Sequence, residues 1–188
     1  MAILYNIKKV VLTELDPATG APKAEGGVKA TIETAQKAEL EPVLSEGEED
    51  ILRAPEKILA VVRTDDLIYG YDVKLTDNTF SAEVAGLVAG YKVTKGSDGG
   101  QKDKYATPMM TEGFTGKPFK LDIYVANYSG DAIVDYAKVT LNKCIGKFPT
   151  MSIGDGFYAP EFEIKARENS AAKLPIKEIT FVDEIPAE

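Results

Sequence analysis

The sequence of 188 residues contains no histidine, no tryptophan and a single cysteine. Without histidine the chain cannot use a histidine-based triad, an imidazole general base, or a zinc or haem site with histidine ligands. The single cysteine, Cys144, excludes an intramolecular disulfide and a CxxC metal site, so we expect a fold that depends on packing and a reducing, cytoplasmic environment. Most familiar classes of enzyme are therefore disfavoured.

Arginine is also scarce, because Arg53, Arg63 and Arg167 are the only three in the chain. The 22 basic residues stand against 30 acidic ones, which gives a net charge of −8. A protein that binds nucleic acid tightly clusters lysine and arginine to neutralise phosphates, so this balance disfavours a conventional DNA- or RNA-binding protein. No apolar run approaches the roughly 18 residues of a membrane span, and we do not expect residues 1–15 to act as a secretory signal.

Apolar and polar residues alternate with a period of two along much of the chain, which predicts strands that bury one face. In residues 121–128 both parities are apolar, so we expect this strand to be covered on both sides. The chain length fits one domain, covering residues 1–188. The predicted strands are 3–12, 28–34, 57–63, 67–75, 120–128, 134–143, 161–167 and 176–182.

One segment follows a helical period instead. Phe80, Val84, Leu87 and Val88 recur at the spacing of one helix face, Ser81 is a suitable N-cap, and a glycine at position 90 can end the helix. The sequence therefore predicts a mainly β protein with one short helix at 81–89.

Two long connections separate predicted elements. Residues 36–56 are acidic and contain Pro42, Gly47 and Pro55, which predicts a long loop that is functional or ordered by a partner. Residues 95–104 are polar and rich in glycine, which predicts the tip of a hairpin.

Several short patterns suggest a chemical role but lack the features that this role needs. The acidic run 45–50 lacks the ligand spacing of a calcium loop, and 97–100 lacks the order of a phosphate-binding loop. Asp65 and Asp66 lie between two predicted strands and indicate a turn rather than a catalytic pair. Cys144 indicates a small buried residue rather than a nucleophile, and its parity relative to Val139 and Leu141 suggests a β-bulge or a second covered face.

The tyrosines offer one alternative, because aromatic side chains on strands can form a sugar-binding platform. The candidates are Tyr69, Tyr71, Tyr124 and Tyr128. Tyrosine is equally typical of strands and of subunit contacts, and tryptophan, on which such platforms usually depend, is absent.

Residues 66–84, which run from Asp66 through Tyr69-Gly70-Tyr71 to Val84, resemble the strand-to-helix segment of phage major tail proteins. These proteins are the tail tube subunits of long-tailed phages that infect Gram-positive bacteria. The C-terminal stretches 157–170 and 181–186 resemble the same family, and the likeness covers most of the chain from about residue 54 onward. The N-terminal third matches in layout only.

The resemblance implies a β-sandwich or barrel-like core with a flanking helix, stacked as hexameric rings into a tube. It further implies that residues 36–56 and 95–104 contact neighbouring subunits. Other implied partners are the tape measure, terminator and distal tail proteins, and DNA passes through the lumen without specific binding. The implied location is the virion tail, assembled in the host bacterial cytoplasm.

We therefore expect a structural protein without catalytic, cofactor-binding or metal-binding residues. An acidic wall without arginine forks suits a conduit for DNA, because it avoids tight phosphate contacts. The alternatives are a carbohydrate- or surface-binding β-sandwich module and the tube protein of a contractile tail or secretion apparatus.

Overall fold

The computed structural model describes residues 2–55, 57–79, 81–94, 96, 104–109, 111, 116–147, 149–150 and 159–186. These residues form a mainly β protein with one short helix, as the sequence predicts. The elements are β1 (Ile3–Glu14), β2 (Lys29–Ile32), β3 (Ala35–Ser45), β4 (Glu49–Ala54), β5 (Lys57–Arg63), β6 (Leu67–Asp77), α1 (Ala82–Ala89), β7 (Lys92–Thr94), β8 (Lys104–Ala106), β9 (Phe119–Ser129), β10 (Ala132–Gly146), β11 (Glu161–Ala166) and β12 (Lys177–Val182).

The main sheet is antiparallel and follows the order β2-β1-β9-β10-β11-β6-β3, with β12 also paired to β10. The first part of β10 pairs with β12 from Tyr136 to Leu141, and its last part pairs with β11 from Cys144 to Gly146. Two layers therefore share β10: a first layer of β2, β1, β9, β10 and β12, and a second layer of β10, β11, β6 and β3. Within the described residues β2 and β3 do not pair, so the fold is sandwich-like and not a closed barrel.

A β-bulge marks the point where β10 passes from one layer to the other. Leu141 pairs with Leu121 and Cys144 with Phe119, so β10 places two residues where β9 places one. The bulge turns the Cys144 side chain into the core, where it is fully buried and where burial raises the pKa of its thiol. Both sequence-based interpretations of Cys144, a small buried residue and a bulge, are confirmed.

Two buried asparagines stabilise the corner that β10 forms where it passes between the layers. The Asn169 Nδ2 donates to the Gly20 carbonyl at 2.8 Å and to the Asn142 carbonyl at 3.3 Å, and its Oδ1 accepts from the Ala172 N–H at 3.3 Å. Asn142 Nδ2 donates to the Pro175 carbonyl at 2.9 Å. Gly20 has a φ of +68°, and a Cβ at this position would overlap the Asn169 side chain, so the turn requires glycine. The network joins β10, the first turn of the chain and the segment before β12.

The core lies between the layers and is closed at one end by α1. Ser81 Oγ accepts from the Val84 N–H, Gly90 ends the helix with a φ of 64°, and Val84, Leu87 and Val88 are buried against β2 and β10. The predicted helix is confirmed, although Phe80 of the predicted stripe lies outside the described residues. Strand β9 is covered on both faces as predicted, because Leu121 and Tyr124, of opposite parity, are both buried.

The prediction of a long loop at 36–56 is wrong, because most of this segment forms β3 and β4. Its acidic residues occupy outward positions of a strand, as at Glu39 and Glu41, while Ala38 and Leu40 pack on the core. Pro42 is tolerated because β3 is an edge strand. The hairpin predicted at 95–104 is flanked by β7 and β8, which pair, while residues 95 and 97–103 lie outside the described residues.

We expect the substitution Asn169→Ala to destabilise the protein by about 2 kcal/mol, because it leaves buried backbone groups at the corner without partners. Urea unfolding of this variant measures the loss. The exposed Asn78→Ala is the matched control and should change stability by less than about 0.5 kcal/mol. Equal effects of the two substitutions would show that the corner network does not stabilise the fold.

A second prediction concerns Glu14, which is buried where β1 meets β2. Burial raises the pKa of Glu14, but the Val28 N–H and the Lys23 and Lys117 ammonium groups outweigh it, so the pKa lies below the ordinary value. The carboxylate therefore contributes stability above the unfolded pKa of about 4.3, and this contribution is lost as pH falls through the folded pKa.

Urea unfolding of wild type and of Glu14→Gln from pH 7 to pH 3 measures this contribution. The stability advantage of wild type should be constant at neutral pH and shrink only below about pH 4.3. The exposed Glu25→Gln should behave like wild type at every pH. An advantage that grows on acidification would contradict the assignment.

Candidate interaction surface

Strands β4 and β5 form a hairpin that extends the β3–β6 ribbon away from the core. Among the described residues these two strands pair only with each other, from Glu49 with Arg63 to Ala54 with Lys57. We call residues 49–63 the arm. A two-stranded hairpin is marginally stable by itself in water, so a surface that covered the arm would stabilise it.

Aliphatic side chains are exposed on both faces of the arm. Ile51 lies opposite Val61 on one face, while Leu52 opposite Ala60 and Val62 opposite Asp50 lie on the other. The exposed fractions are 61% for Leu52, 60% for Ile58, 61% for Leu59, 52% for Val61 and 64% for Val62. Exposed apolar side chains grouped in this way are typical of an interaction site.

A short joint connects the arm to the core. Between the β3–β6 pair and the β4–β5 pair, side chains accept the backbone hydrogen bonds. The Gly47 N–H donates to Asp66 Oδ1 at 2.8 Å, and the Glu48 N–H donates to Thr64 Oγ1 at 2.8 Å. The Thr64 N–H donates to the Glu48 carbonyl at 3.0 Å. A Cβ at position 47 would overlap the Thr64 carbonyl, so only glycine allows the backbone at residue 47 to lie this close to the backbone at Thr64.

Acidic side chains concentrate around the joint, and the structure gives one of them a clear role. Asp65 and Asp66 lie in the connection between β5 and β6, where the sequence predicts a turn, and Asp66 holds the Gly47 amide. Within the described residues no group of carboxylates and cysteine is arranged to hold a metal ion. The acidic residues in and next to the joint are Glu46, Glu48, Glu49, Asp50, Asp65 and Asp66.

The four tyrosines of the predicted platform do not come together. Tyr69 and Tyr71 lie on β6 in the second layer, whereas Tyr124 and Tyr128 lie on β9 in the first layer. Tyr124 is only 4% exposed, and burial raises the pKa of its hydroxyl. Tyr69 is half exposed, with the Arg167 guanidinium 5.3 Å from its ring centroid. One shared aromatic platform is therefore not formed.

A second exposed apolar patch lies where β1 begins and where the β9–β10 turn projects. Ile3 pairs with Tyr128 and Tyr128 pairs with Ile133, and the Tyr5 and Tyr128 rings meet edge to face with centroids 6.2 Å apart. Ile3, Tyr5 and Val134 are largely exposed. This patch and the arm are thus two separate apolar surfaces on one small protein.

A groove of about 200 Å³ opens between the two layers. Lys177 lies at its edge, with its Nζ 4.4 Å from the centroid of the Tyr71 ring. We call this cavity the groove. Its walls are formed mainly by Ile7, Ala38, Leu40, Val125, Val139 and Ile179.

The outer face of the second layer carries charged side chains of both signs. A shallow depression of about 170 Å³ on this face is lined by side chains of both signs. Lys147 contacts Glu163 at 3.0 Å and lowers the pKa of that carboxyl, through a hydrogen bond and through its charge. Four carboxylates and three ammonium groups line the depression, so its small net charge gives little basis for selecting an ionic ligand.

The sequence interpretation missed the arm as the exposed surface, although a signal was present. Residues 58–62 read Ile-Leu-Ala-Val-Val without any polar residue between them, so both faces of β5 had to be apolar. In a protein with one sandwich core, a strand that is apolar on both faces either lies inside the core or exposes one or both faces to another surface.

No protein-family model matches the sequence, and no curated protein shows significant similarity to it. The helix α1 is too short to cross a membrane, and the described residues contain no other helix.

We expect Asp66→Ala to loosen the arm, because it removes the acceptor of the Gly47 amide. Hydrogen exchange should become roughly fivefold faster at the amides of the arm, the effect of losing about 1 kcal/mol, with no change in β9. Asp65→Ala is the matched control, because the described residues give its carboxylate no hydrogen bond. Identical exchange in the two variants would show that Asp66 does not hold the joint.

Proposed function

We propose that this chain is the structural subunit of a phage tail tube, which polymerises as stacked hexameric rings through which DNA is ejected into the host. The observation that carries the proposal is the arm, whose aliphatic side chains are exposed on both faces. The sandwich-like core with one helix, and the resemblance of residues 66–84 to the strand-to-helix segment of major tail proteins, support it. In this proposal the protein has no catalytic role.

Burial of the arm supplies the driving force for assembly. Full burial of a Val, Leu or Ile side chain contributes about 1.5–3 kcal/mol, so covering the half-exposed side chains of the arm offsets a substantial part of the rotational and translational freedom lost on association. A ring covers every arm with an identical neighbour. It also pairs or shields the edges of β2, β3 and β12, which no other strand of the described residues pairs.

The charges fit a conduit that does not hold DNA. Two of the three arginines, Arg53 and Arg63, lie on the arm, where subunit contacts would cover them, and Glu49 lies opposite Arg63 in the register of the hairpin. The third, Arg167, lies over the Tyr69 ring and 3.8 Å from Asp72. These positions of the three arginines leave few guanidinium groups that could bind DNA phosphates.

The proposal includes the partners and location that go with this role. The chain binds copies of itself and, at the ends of the tube, other tail proteins such as the tape measure, terminator and distal tail proteins. It assembles in the host bacterial cytoplasm and ends in the virion tail. The tube of a contractile tail or of a secretion apparatus would use the same ring contacts.

A carbohydrate-binding module is the second candidate, supported by the half-exposed Tyr69 beside Tyr71. Retention on a column of host-wall glycan that is lost in Tyr69→Ala would favour this function over the tube.

The arm variant Leu59→Ser/Val62→Ser tests the tube proposal. Both side chains are exposed, so the thermal midpoint should stay within a few degrees of wild type, while assembly is lost. Negative-stain microscopy of concentrated protein should show rings or tubes with a central channel for wild type and separate subunits for the variant.

The control Leu174→Ser replaces an exposed leucine outside the arm and should assemble like wild type. A wild-type protein that remains monomeric at high concentration and in extracts containing tail initiators would overturn the proposal.

A further inference from the structure

The groove and the arm are both uncovered within the described part of the chain, and both are apolar. One wall of the groove comes from the first layer, including Val125 and Val139, and the other from β3. Ile179, which also lines the groove, is 53% exposed. The helix α1 closes the core where β10 ends, but no described element closes this side of the sandwich.

The size of the groove indicates what it accepts. Its volume of about 200 Å³ is below the roughly 300–1,000 Å³ of a typical small-molecule site. Its walls offer a water few polar partners, so ordered water is a poor occupant. One or two aliphatic side chains from another protein surface fit this volume and this lining.

One face of the arm carries a matching arrangement. Asp50 and Leu52 are two residues apart on β4, so they share a face and are separated by about 7 Å along the strand. Lys177 and Ile179 are also two residues apart on β12, and both line the groove. When Leu52 lies on Ile179, the Asp50 carboxylate can therefore reach the Lys177 ammonium group.

Both charged groups are available for this pairing. The Tyr71 ring holds the Lys177 ammonium at the groove edge, and among the described residues neither Lys177 nor Asp50 has an ion-pair partner within 4 Å. Lys177 is the only charged side chain that lines the groove in the described structure, and the carboxylate nearest Leu52 on its own face of the arm is Asp50.

We propose that the groove receives the arm of a second copy of this chain, with Leu52 inserted beside Ile179 and Asp50 paired with Lys177. This inference rests on the proposed function, because it identifies the surface that receives the arm in the ring or between rings. The arm and the groove are different surfaces, so the contact is heterologous and continues from copy to copy until a ring closes.

A charge exchange tests the pairing. The variants Asp50→Lys and Lys177→Asp should each raise the protein concentration needed for assembly at least about tenfold, because each places like charges together. The double variant should assemble within about threefold of wild type. A 1:1 mixture of the two single variants should also assemble, since each arm then meets a groove of opposite charge on the other chain.

The control Glu49→Lys makes the same charge change on the opposite face of the arm and should alter assembly less than Asp50→Lys does. Circular dichroism should be unchanged in all variants, and the thermal midpoint should stay within a few degrees of wild type, because no core side chain is substituted and Lys177→Asp loses only its contact with the Tyr71 ring. Carbodiimide cross-linking of mixed light and isotope-heavy wild-type chains should join Asp50 to Lys177 between chains.

The outcomes separate this inference from the tube proposal. If wild type forms tubes and the single variants do so equally well, or if neither the double variant nor the mixture restores assembly, the groove is not the receiving surface and the tube proposal stands. A cross-link within one chain, or a small apolar molecule retained in the groove in native mass spectrometry, would also overturn the inference. Failure of wild type to assemble under any condition would overturn both.

Discussion

Strand β10 belongs to both layers, and the corner within it determines where the second layer lies. Before the bulge it pairs with β12, and after the bulge it pairs with β11, so the direction of β11, β6 and β3 follows from one local irregularity. The buried amides of Asn142 and Asn169 hold this corner by bonding backbone groups from three distant parts of the chain. Because β3 and β6 continue into the arm, the same corner also determines the position of the proposed assembly surface.

The chain divides its apolar residues between a closed core and surfaces that the single molecule leaves open. The core gathers residues of both layers and of α1, including Leu75, Val88 and Phe162, and excludes solvent from them. The arm carries comparable aliphatic side chains with nothing described around them. A soluble monomer rarely keeps such surfaces, and the proposed assembly, in which identical subunits cover one another, would account for this division.

Local patterns predicted much of the fold because a strand that buries one face must alternate. Strands β5 and β6 and helix α1 are close to the predicted bounds, and the parity of Cys144 anticipated the bulge. Strand β3 was missed because its outward positions hold acids and Pro42, which also occur in loops. Pairings such as Asn169 with Gly20 join residues 149 positions apart, and no local period encodes them. The uninterrupted apolar run in β5 carried the signal for the arm, but only the structure shows that no described strand covers it.

The absence of histidine, the single cysteine and the few arginines acquire a common explanation in this account. A subunit that lines a passage for DNA needs stable packing and a surface to which phosphates do not adhere, and it needs no reactive side chain. The central claim is that the arm joins copies of the chain, and a cryo-electron microscopy reconstruction of the assembled wild-type protein tests it most directly. The account predicts a hollow tube in which Leu52, Leu59 and Val62 are buried against a neighbouring subunit. A tube in which these side chains remain in solvent, or an assembly without a channel, would contradict it.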